Sequence, residues 1–537
     1  MRQSHFWLGL ALAGAWGAEM ICGSVAPASA ASQVDFSGYY RVMFNSETNI
    51  GYAADKQPGD FTDAYFQDRL QMDLNFHPTD EITVYWRFRG PGTYGRWGYG
   101  GTGGRSGLYT QFVYGEIKQD WGTVLVGRIS DDLDVYGLAD LGYMPETLPV
   151  FTSVGPFDRS DVLDGIRYTY DFDNGFSIMA QYGKLGNWDE YEGGRPGPNN
   201  GGNDSDSDRD RFQVGGTYLW DGGGVSLNLL YDRNAQIRDS VRFDEALLGY
   251  LPPYYIASLF PKIQKTDIFL VNPAFAHSWG DFSVHFEGGA AWGKQHYSDG
   301  SSQDGHGYGG YLDFDYNYGP GNVTLAGWYV SGNDLDDADS GALADLVGGN
   351  FYPLLVAYNS VNSNPGGNRA AGNLNYGGHA DGGAAGFANG SNPDNPFANN
   401  NANHWGIALT GNHALTDDIS LHYGLGYLAL VNPNWEIASS GTYNGATGAY
   451  TVTGYTKQDK DLGVEIDLGL SFQLLDNLEL ASGFGYMFTG DALRNRTLKG
   501  YTVSAADAGG VRNIQAVWED APAEDSYVWF NSLTFSF

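Results

Sequence analysis

Arg41, Arg69, Arg87, Arg89 and Arg167 are the residues of this chain best placed to do chemistry. Each stands in a short segment where apolar and polar residues alternate. Between 82 and 89, Thr83, Tyr85, Arg87 and Arg89 interleave with Ile82, Val84, Trp86 and Phe88. Between 66 and 76, Gln67, Arg69, Gln71, Asp73 and Asn75 interleave with Phe66, Leu70, Met72, Leu74 and Phe76. Arg41 shares a side with Asp35 and Ser37, against Val34, Phe36, Tyr40 and Val42. Arg167 lies opposite Ile166, Tyr168, Tyr170 and Phe172. A period of two is that of a β-strand, so the guanidinium groups are expected on one face of a sheet. Like charges on neighbouring strands repel unless water or carboxylates compensate. Candidate carboxylates stand in one long connection, 129–161, which holds Asp131, Asp134, Asp140 and Glu146. The same connection carries Leu133, Leu138, Leu141, Leu148 and Phe151, which could pack it onto an inner wall. Acids laid opposite an arginine wall would set up a transverse field that orients polar solutes and rejects apolar ones. The plainer alternative is a set of salt bridges that only fasten the segment.

The elements that must hold these groups follow from the same alternation. The final run places Tyr527, Trp529, Leu533, Phe535 and the terminal Phe537 on one face, broken only by Asn531. An aromatic final residue closing such a strand resembles the signal read by the outer-membrane β-barrel insertion machinery. Upstream, Leu462, Val464, Ile466, Leu468, Leu470 and Phe472 form an apolar series, interleaved with Gly463, Glu465, Asp467, Gly469 and Ser471. A water-filled lumen accepts Glu465 and Asp467 on such a strand, whereas a packed sandwich has no use for them. The pattern repeats to give about 18 strands, with 16 as the alternative. Short turns fall near 78, 120, 174, 222, 280, 320, 416 and 476, the first read as His77-Pro78-Thr79-Asp80. Longer connections alternate with them, at about 45–63, 90–107, 129–161, 186–210, 234–263, 296–307, 332–403, 432–459 and 491–523. The predicted fold is therefore all-β: a transmembrane antiparallel β-barrel with short periplasmic turns, long external loops and an inward-folded third loop. Closure removes sheet edges and satisfies every ladder hydrogen bond, as hydrocarbon demands. The segment 332–403 could be an external flap, a partner contact or a fold-in plug.

Composition narrows the class. The chain has 537 residues and a net charge of −34, a poor match for nucleic acid. Asp204, Asp206, Asp208 and Asp210, and Asp334, Asp336, Asp337 and Asp339, read as solvated loop tips, with cation bridging to anionic lipid headgroups as the sharper alternative. Arg2, the apolar run Phe6 to Ala18 and Ala28-Ser29-Ala30 read as a secretory signal peptide over 1–30, leaving one barrel domain over 31–537. The single cysteine, Cys22, falls inside that leader, which excludes a disulfide framework. Beyond the leader no run of 18 apolar residues marks a spanning helix.

At the third hairpin the wording becomes familiar. Tyr114-Gly115-Glu116-Ile117-Lys118, followed by Trp121-Gly122-Thr123-Val124-Leu125-Val126-Gly127-Arg128, resembles the strand–turn–strand signature of Gram-negative general porins. Pro145-Glu146 resembles the Pro-Glu pair of their third loop, and Gly165-Ile166-Arg167-Tyr168, Gly175-Phe176 and Gln181-Tyr182-Gly183 resemble their next hairpin. Asp461 to Asp467, Phe488-Thr489-Gly490-Asp491 and Leu533 to Phe537 look closer to homotrimeric porins of sulfate-reducing bacteria. The resemblance implies a homotrimeric passive-diffusion channel in the outer membrane, with loop three as the constriction. Under it Glu146 matches the loop acid and Arg69 a wall arginine. The chain departs from that pattern in its longer loops, an extra hairpin and its relocated arginines.

Three further functions compete. Lumenal aromatic residues stacking on sugar rings would make a substrate-specific channel for sugars or anionic polymers, although Tyr and Trp fall mostly in the outward phase. A barrel hydrolase would need a nucleophile, base and orienter in reach. His285 and His422 are inward by phase, but no local Ser/His/Asp signature accompanies them, and no enzyme activity is expected. A secreted soluble β-protein would share much of the composition. No metal-ligand set, phosphate-binding glycine loop or cofactor site is apparent in the sequence.

Overall fold

The computed structural model describes residues 33–48, 62–96, 108–130, 162–186, 209–235, 263–331, 354, 404–432, 437–444, 449–456, 459–491, 495–503, 511–521 and 525–537. The chain begins with β1 (Gln33–Thr48), β2 (Thr62–Thr79), β3 (Ile82–Arg96), β4 (Tyr109–Gln119), β5 (Gly122–Ser130), β6 (Val162–Asp171), β7 (Phe176–Gly186), β8 (Arg209–Trp220) and β9 (Gly223–Asn234). It continues with β10 (Ile263–Trp279), β11 (Phe282–Tyr297), β12 (Ser302–Asn317), β13 (Gly321–Val330), β14 (His404–Thr416) and β15 (Ile419–Leu430). The last third holds β16 (Ile437–Asn444), β17 (Ala449–Thr456), β18 (Asp461–Leu475), β19 (Leu478–Thr489), β20 (Asn495–Val503), β21 (Val511–Ala521) and β22 (Ser526–Ser536).

Eighteen of these strands form one antiparallel sheet, running β1 to β15 and then β18, β19 and β22. The sheet closes on itself where β22 pairs with β1, from Tyr39↔Ser536 to Thr48↔Tyr527. The terminal residue completes the seam. Gly38 N donates to Phe537 O (2.9 Å), Phe537 N donates to Gly38 O (3.0 Å), and the Phe537 ring stacks on Phe36 at 5.2 Å. Closure leaves no edge with unpaired backbone groups.

The side chains follow the expected two-face division. Outside stand Val126, Val214, Leu227, Ile466 and Leu468, each about half exposed; inside stand Arg41, Gln71, Gln213, Asn228 and Asn272, all buried. The exterior also carries chains of aromatic contacts. Near the long-loop end, Tyr182, Phe212, Tyr231, Phe269 and Trp292 follow one another across β7 to β11, with centroids 4.7–6.2 Å apart. Near the short turns, Trp121–Tyr168, Phe172–Phe176, Trp220–Phe275 and Phe282–Tyr316 make a second belt. On β10, Phe269 and Phe275 belong to opposite belts, with apolar exterior between. Aromatic girdles flanking an apolar band mark the two interfaces of a bilayer. The architecture is that of a membrane-spanning barrel of the outer-membrane type.

All eight short turns fall within a few residues of the expected places, but several boundaries differ. The first turn is Asp80-Glu81, because β2 runs on through Thr79. β3 extends to Arg96, past the expected start of a loop at 90; between Leu70↔Gly90 and Asp68↔Gly95 the ladder skips, so the extra residues bulge from a continuing strand. Asp210 is no loop tip: it sits in β8, where Tyr182 Oη donates to it (3.1 Å) and Arg233 Nη1 lies 3.4 Å away. Leu462 leaves the outward series. At Gly463 (φ 131°) the register with β15 slips, from Leu428↔Gly463 to Ala429↔Asp461, and Leu462 becomes fully buried. The connections 432–459 and 491–523 contain strands. β17, β16, β21 and β20, in that order, form a second antiparallel sheet of four.

Candidate functional site

The inner face of β1 to β3 assembles four of the five predicted arginines, and Arg167 stands apart on β6. Antiparallel register puts Arg41 directly opposite Arg69, with Thr534 on the other side of Arg41. Both arginines are buried. The Arg41 guanidinium lies over the Tyr39 ring at 5.2 Å, and its Nε and Nη2 have no hydrogen-bond partner among the described residues. Arg87 is held differently. Its Nε donates to Asp73 Oδ1 (2.6 Å) and its Nη2 to Asp73 Oδ2 (3.1 Å), a bidentate fork. Tyr85 Oη donates to the same carboxylate (2.9 Å), and the Tyr85 and Phe112 rings flank the guanidinium at 5.6 and 5.5 Å. Arg89 Nε donates to Gln71 Oε1 (2.8 Å), and Arg167 Nε donates to Gln181 Oε1. Each of these three partners is the cross-strand neighbour in the register.

Asp131, Asp134, Asp140 and Glu146 lie outside the described residues. What is described is where their segment is rooted. Ile129 lies one residue before the end of β5 and Leu163 one residue after the start of β6; they pair across the ladder, share the inward phase with Arg167, and are fully buried. The stem of this connection is thus an apolar lumenal contact. Another apolar patch, formed by Met43, Met487, Val528 and Phe530, lies on the inner face of β1, β19 and β22 and is almost completely buried. Part of the lumen is therefore packed rather than wetted.

Segment 332–403 is described at a single position. Its one described residue, Leu354, is buried and sits on Gly426, which shares the inward phase of β15. A Cβ at Gly426 would fall 2.5 Å from Leu354 Cδ1, so a larger residue there requires the Leu354 side chain to shift. Glu465 and Asp467 lie on the next strand, opposite Gly426 and Gly424, and both are buried. Fold-in is thus the alternative that Leu354 supports.

Sequence reasoning missed two lumenal groups. Arg211 and Asp232 form an ion pair on β8 and β9 (Nη2–Oδ2 2.6 Å), with side chains 0% and 2% exposed. Its signal is legible in part: Arg211, Gln213 and Thr217 alternate with Phe212, Val214 and Tyr218, but the cross-strand meeting with Asp232 depends on register. The second group lies on β10 to β12. His285 Nδ1 is 2.7 Å from Asp313 Oδ1 and 3.4 Å from Asp315 Oδ2, so a set of metal-ligating side chains exists where none was expected. Glu287 follows on the same face and accepts from Asn272 Nδ2 (3.2 Å). His422, the other inward histidine, bonds Ser471 Oγ through Nε2 (3.1 Å). In the ring of eighteen, β10 stands nine places from β1, so these acids lie on the wall opposite the arginines.

No protein-family model and no curated protein matches the chain. Among solved structures it is similar to OmpT, an outer membrane protein of Vibrio cholerae (11% identity, 96% of this chain and 100% of that chain covered, TM-score 0.35). It is similar also to Pseudomonas aeruginosa OccK2 (OpdF) in complex with glucuronate (10%, 94% and 97%, TM-score 0.44). A third is the anion-selective porin from Comamonas acidovorans (12%, 94% and 100%, TM-score 0.39). At these scores no function passes from those proteins to this chain.

Proposed function

We propose that the chain is an outer-membrane porin, a water-filled channel for passive diffusion of small hydrophilic solutes and ions. The observation that carries this reading is a closed barrel whose inner face is lined by ionised and amide side chains while its outer face is apolar. Charges on an inner face are costly in a dry core and cheap beside enclosed water. The constriction in this proposal lies between segment 129–161, with Asp131, Asp134, Asp140 and Glu146, and the wall arginines Arg41, Arg69, Arg87, Arg89 and Arg167. The buried stem Ile129–Leu163 supports that inward course. The opposite acidic wall adds to the transverse field from the barrel itself.

The same proposal includes a leader over 1–30, a barrel domain over 31–537, recognition of the Phe537 end by the insertion machinery, contact with outer-membrane lipid, and a homotrimer in keeping with the resemblance to porins of sulfate-reducing bacteria. Single-channel conductance of the purified protein in planar bilayers tests the central point. Discrete, ohmic openings are expected; a protein that inserts and never conducts would overturn it.

A second reading has its own support. Arg41 keeps a buried guanidinium with two nitrogens unbonded among the described residues, beside a second arginine. Such a pair would hold an anionic solute, which favours a substrate-specific channel. Current blockade by uronates or short anionic polymers at micromolar concentration, lost in Arg41→Ala, is the expected sign of that reading; equal blockade by neutral sugars would remove it.

A further inference from the structure

We infer that the barrel interior carries a binding site for a first-row divalent metal cation, built from His285 of β11 and Asp313 and Asp315 of β12. The candidate donor atoms of the three side chains all lie within 4.8 Å of one another. His285 Nδ1 is 2.7 Å from one carboxylate oxygen and 3.4 Å from the other. Two ligands bound at about 2.1 Å to one ion stand about 3.0–3.4 Å apart at octahedral to tetrahedral angles, so the two distances bracket the required span. The carboxylate of Asp315 is already steered. Its Oδ1 accepts a hydrogen bond from the Thr324 hydroxyl, which leaves Oδ2 toward the imidazole. Contacts of this kind orient ligands for a metal.

Charge supplies an independent argument. Asp313 and Asp315 stand on one face of one strand, and Glu287 stands on the same lumenal face of the neighbouring strand. Their register neighbours carry no lysine or arginine. Asp313 is flanked by His285 and Ala326, Asp315 by Ser283 and Thr324, and Glu287 by Ala274 and Tyr311. A protonated imidazole would offset one of the two aspartates; a divalent cation offsets both while keeping the imidazole nitrogen as a ligand. One nitrogen with two carboxylates favours zinc, copper or nickel over calcium or magnesium, which prefer oxygen alone. The His285 and Asp315 side chains remain 17% and 20% exposed, which leaves room for water to complete the coordination. Binding would cancel the excess negative charge of this wall; that consequence for conduction rests on the porin reading, whereas the site itself does not.

Zinc chloride titrated calorimetrically into the full chain, folded in detergent and stripped with chelator, should show saturable binding of one ion per chain. His285→Ala and Asp315→Asn should each weaken it at least tenfold, while His422→Ala should leave it unchanged. Copper(II) bound to the unmodified protein should show electron-spin coupling to a single imidazole nitrogen, lost in His285→Ala. Absence of saturable binding below millimolar zinc, or equal affinity in His285→Ala, would overturn the site. If that variant does not fold, a copper spectrum of the unmodified protein without nitrogen coupling overturns it equally. In bilayers, micromolar zinc should move the reversal potential toward anion preference. A silent pore with intact calorimetry would count against the porin reading and for the site.

Discussion

The arginine wall of β1 to β3 and the acidic wall of β10 to β12 face one lumen but hold their charges in opposite ways. On the first, Arg87 and Arg89 are each tied to the residue directly across the ladder, Asp73 and Gln71. On the second, two aspartates converge on one imidazole. A tied guanidinium contributes a fixed dipole and rigidity, because its fork matches a carboxylate bidentately. Two carboxylates sharing one weak base leave a charge deficit that a mobile cation can fill. One wall is thus suited to shaping the field, and the other to holding an ion.

The contrast can be tested by removing partners. The largest effect is expected at Arg211→Ala, in the fully buried ion pair on β8 and β9. Leaving Asp232 buried without its cation should cost about 3–5 kcal/mol of stability in urea unfolding from detergent. His285→Ala should cost less, about 1–3 kcal/mol, because Asp315 keeps a partly exposed carboxylate although Asp313 is left buried without its imidazole partner. Equal losses would erase the distinction between tied and shared charge.

Next in size is a change of conductance. Gly426→Val should displace the Leu354 side chain from the β15 wall and alter single-channel current, since a Cβ there would fall 2.5 Å from Leu354 Cδ1. An unaltered current would show that Leu354 does not bear on the path. A smaller effect is expected at Asp73→Asn, which removes the acid holding Arg87. The reversal potential in a salt gradient should shift toward anion preference, with conductance nearly kept. Arg89→Gln should shift it the other way by a comparable amount, because its amide partner leaves the guanidinium charge uncompensated. A shift of the same sign in both variants would refute the assigned field.

The finest test is local. Spin labels at successive sites from 463 to 472 should alternate between oxygen and nickel-chelate accessibility, whereas a label at 462 should be protected from both. Alternation that continues unbroken through 462 would mean that the bulge at Gly463 is absent.

Much of the barrel was legible because a strand carries its environment in its own period. Phe66, Leu70, Met72, Leu74 and Phe76 declare a lipid face without reference to any other segment, and Arg69 beside them declares the lumen. Turn residues such as Asp476-Asn477 mark the hairpins for the same local reason. The four-stranded sheet of β16, β17, β20 and β21 was not legible, since its strands are short and largely polar and carry no clear phase. The bulge that buries Leu462 was hidden too, because one added residue leaves the composition unchanged while reversing the face.

From its amino-acid order alone this protein commits each strand to a wet and a greasy side, commits the chain to many hairpins, and commits Arg41, Arg69, Arg87, Arg89 and Arg167 to the interior. These are properties of neighbours one and two residues apart. Which interior groups meet was decided by register and closure. Arg87 finds Asp73, Arg211 finds Asp232, and His285 finds two aspartates 28 and 30 residues away, only after antiparallel pairing fixes which rungs coincide. The opposition of a basic and an acidic wall exists only once eighteen strands close a ring and give the sheet an inside.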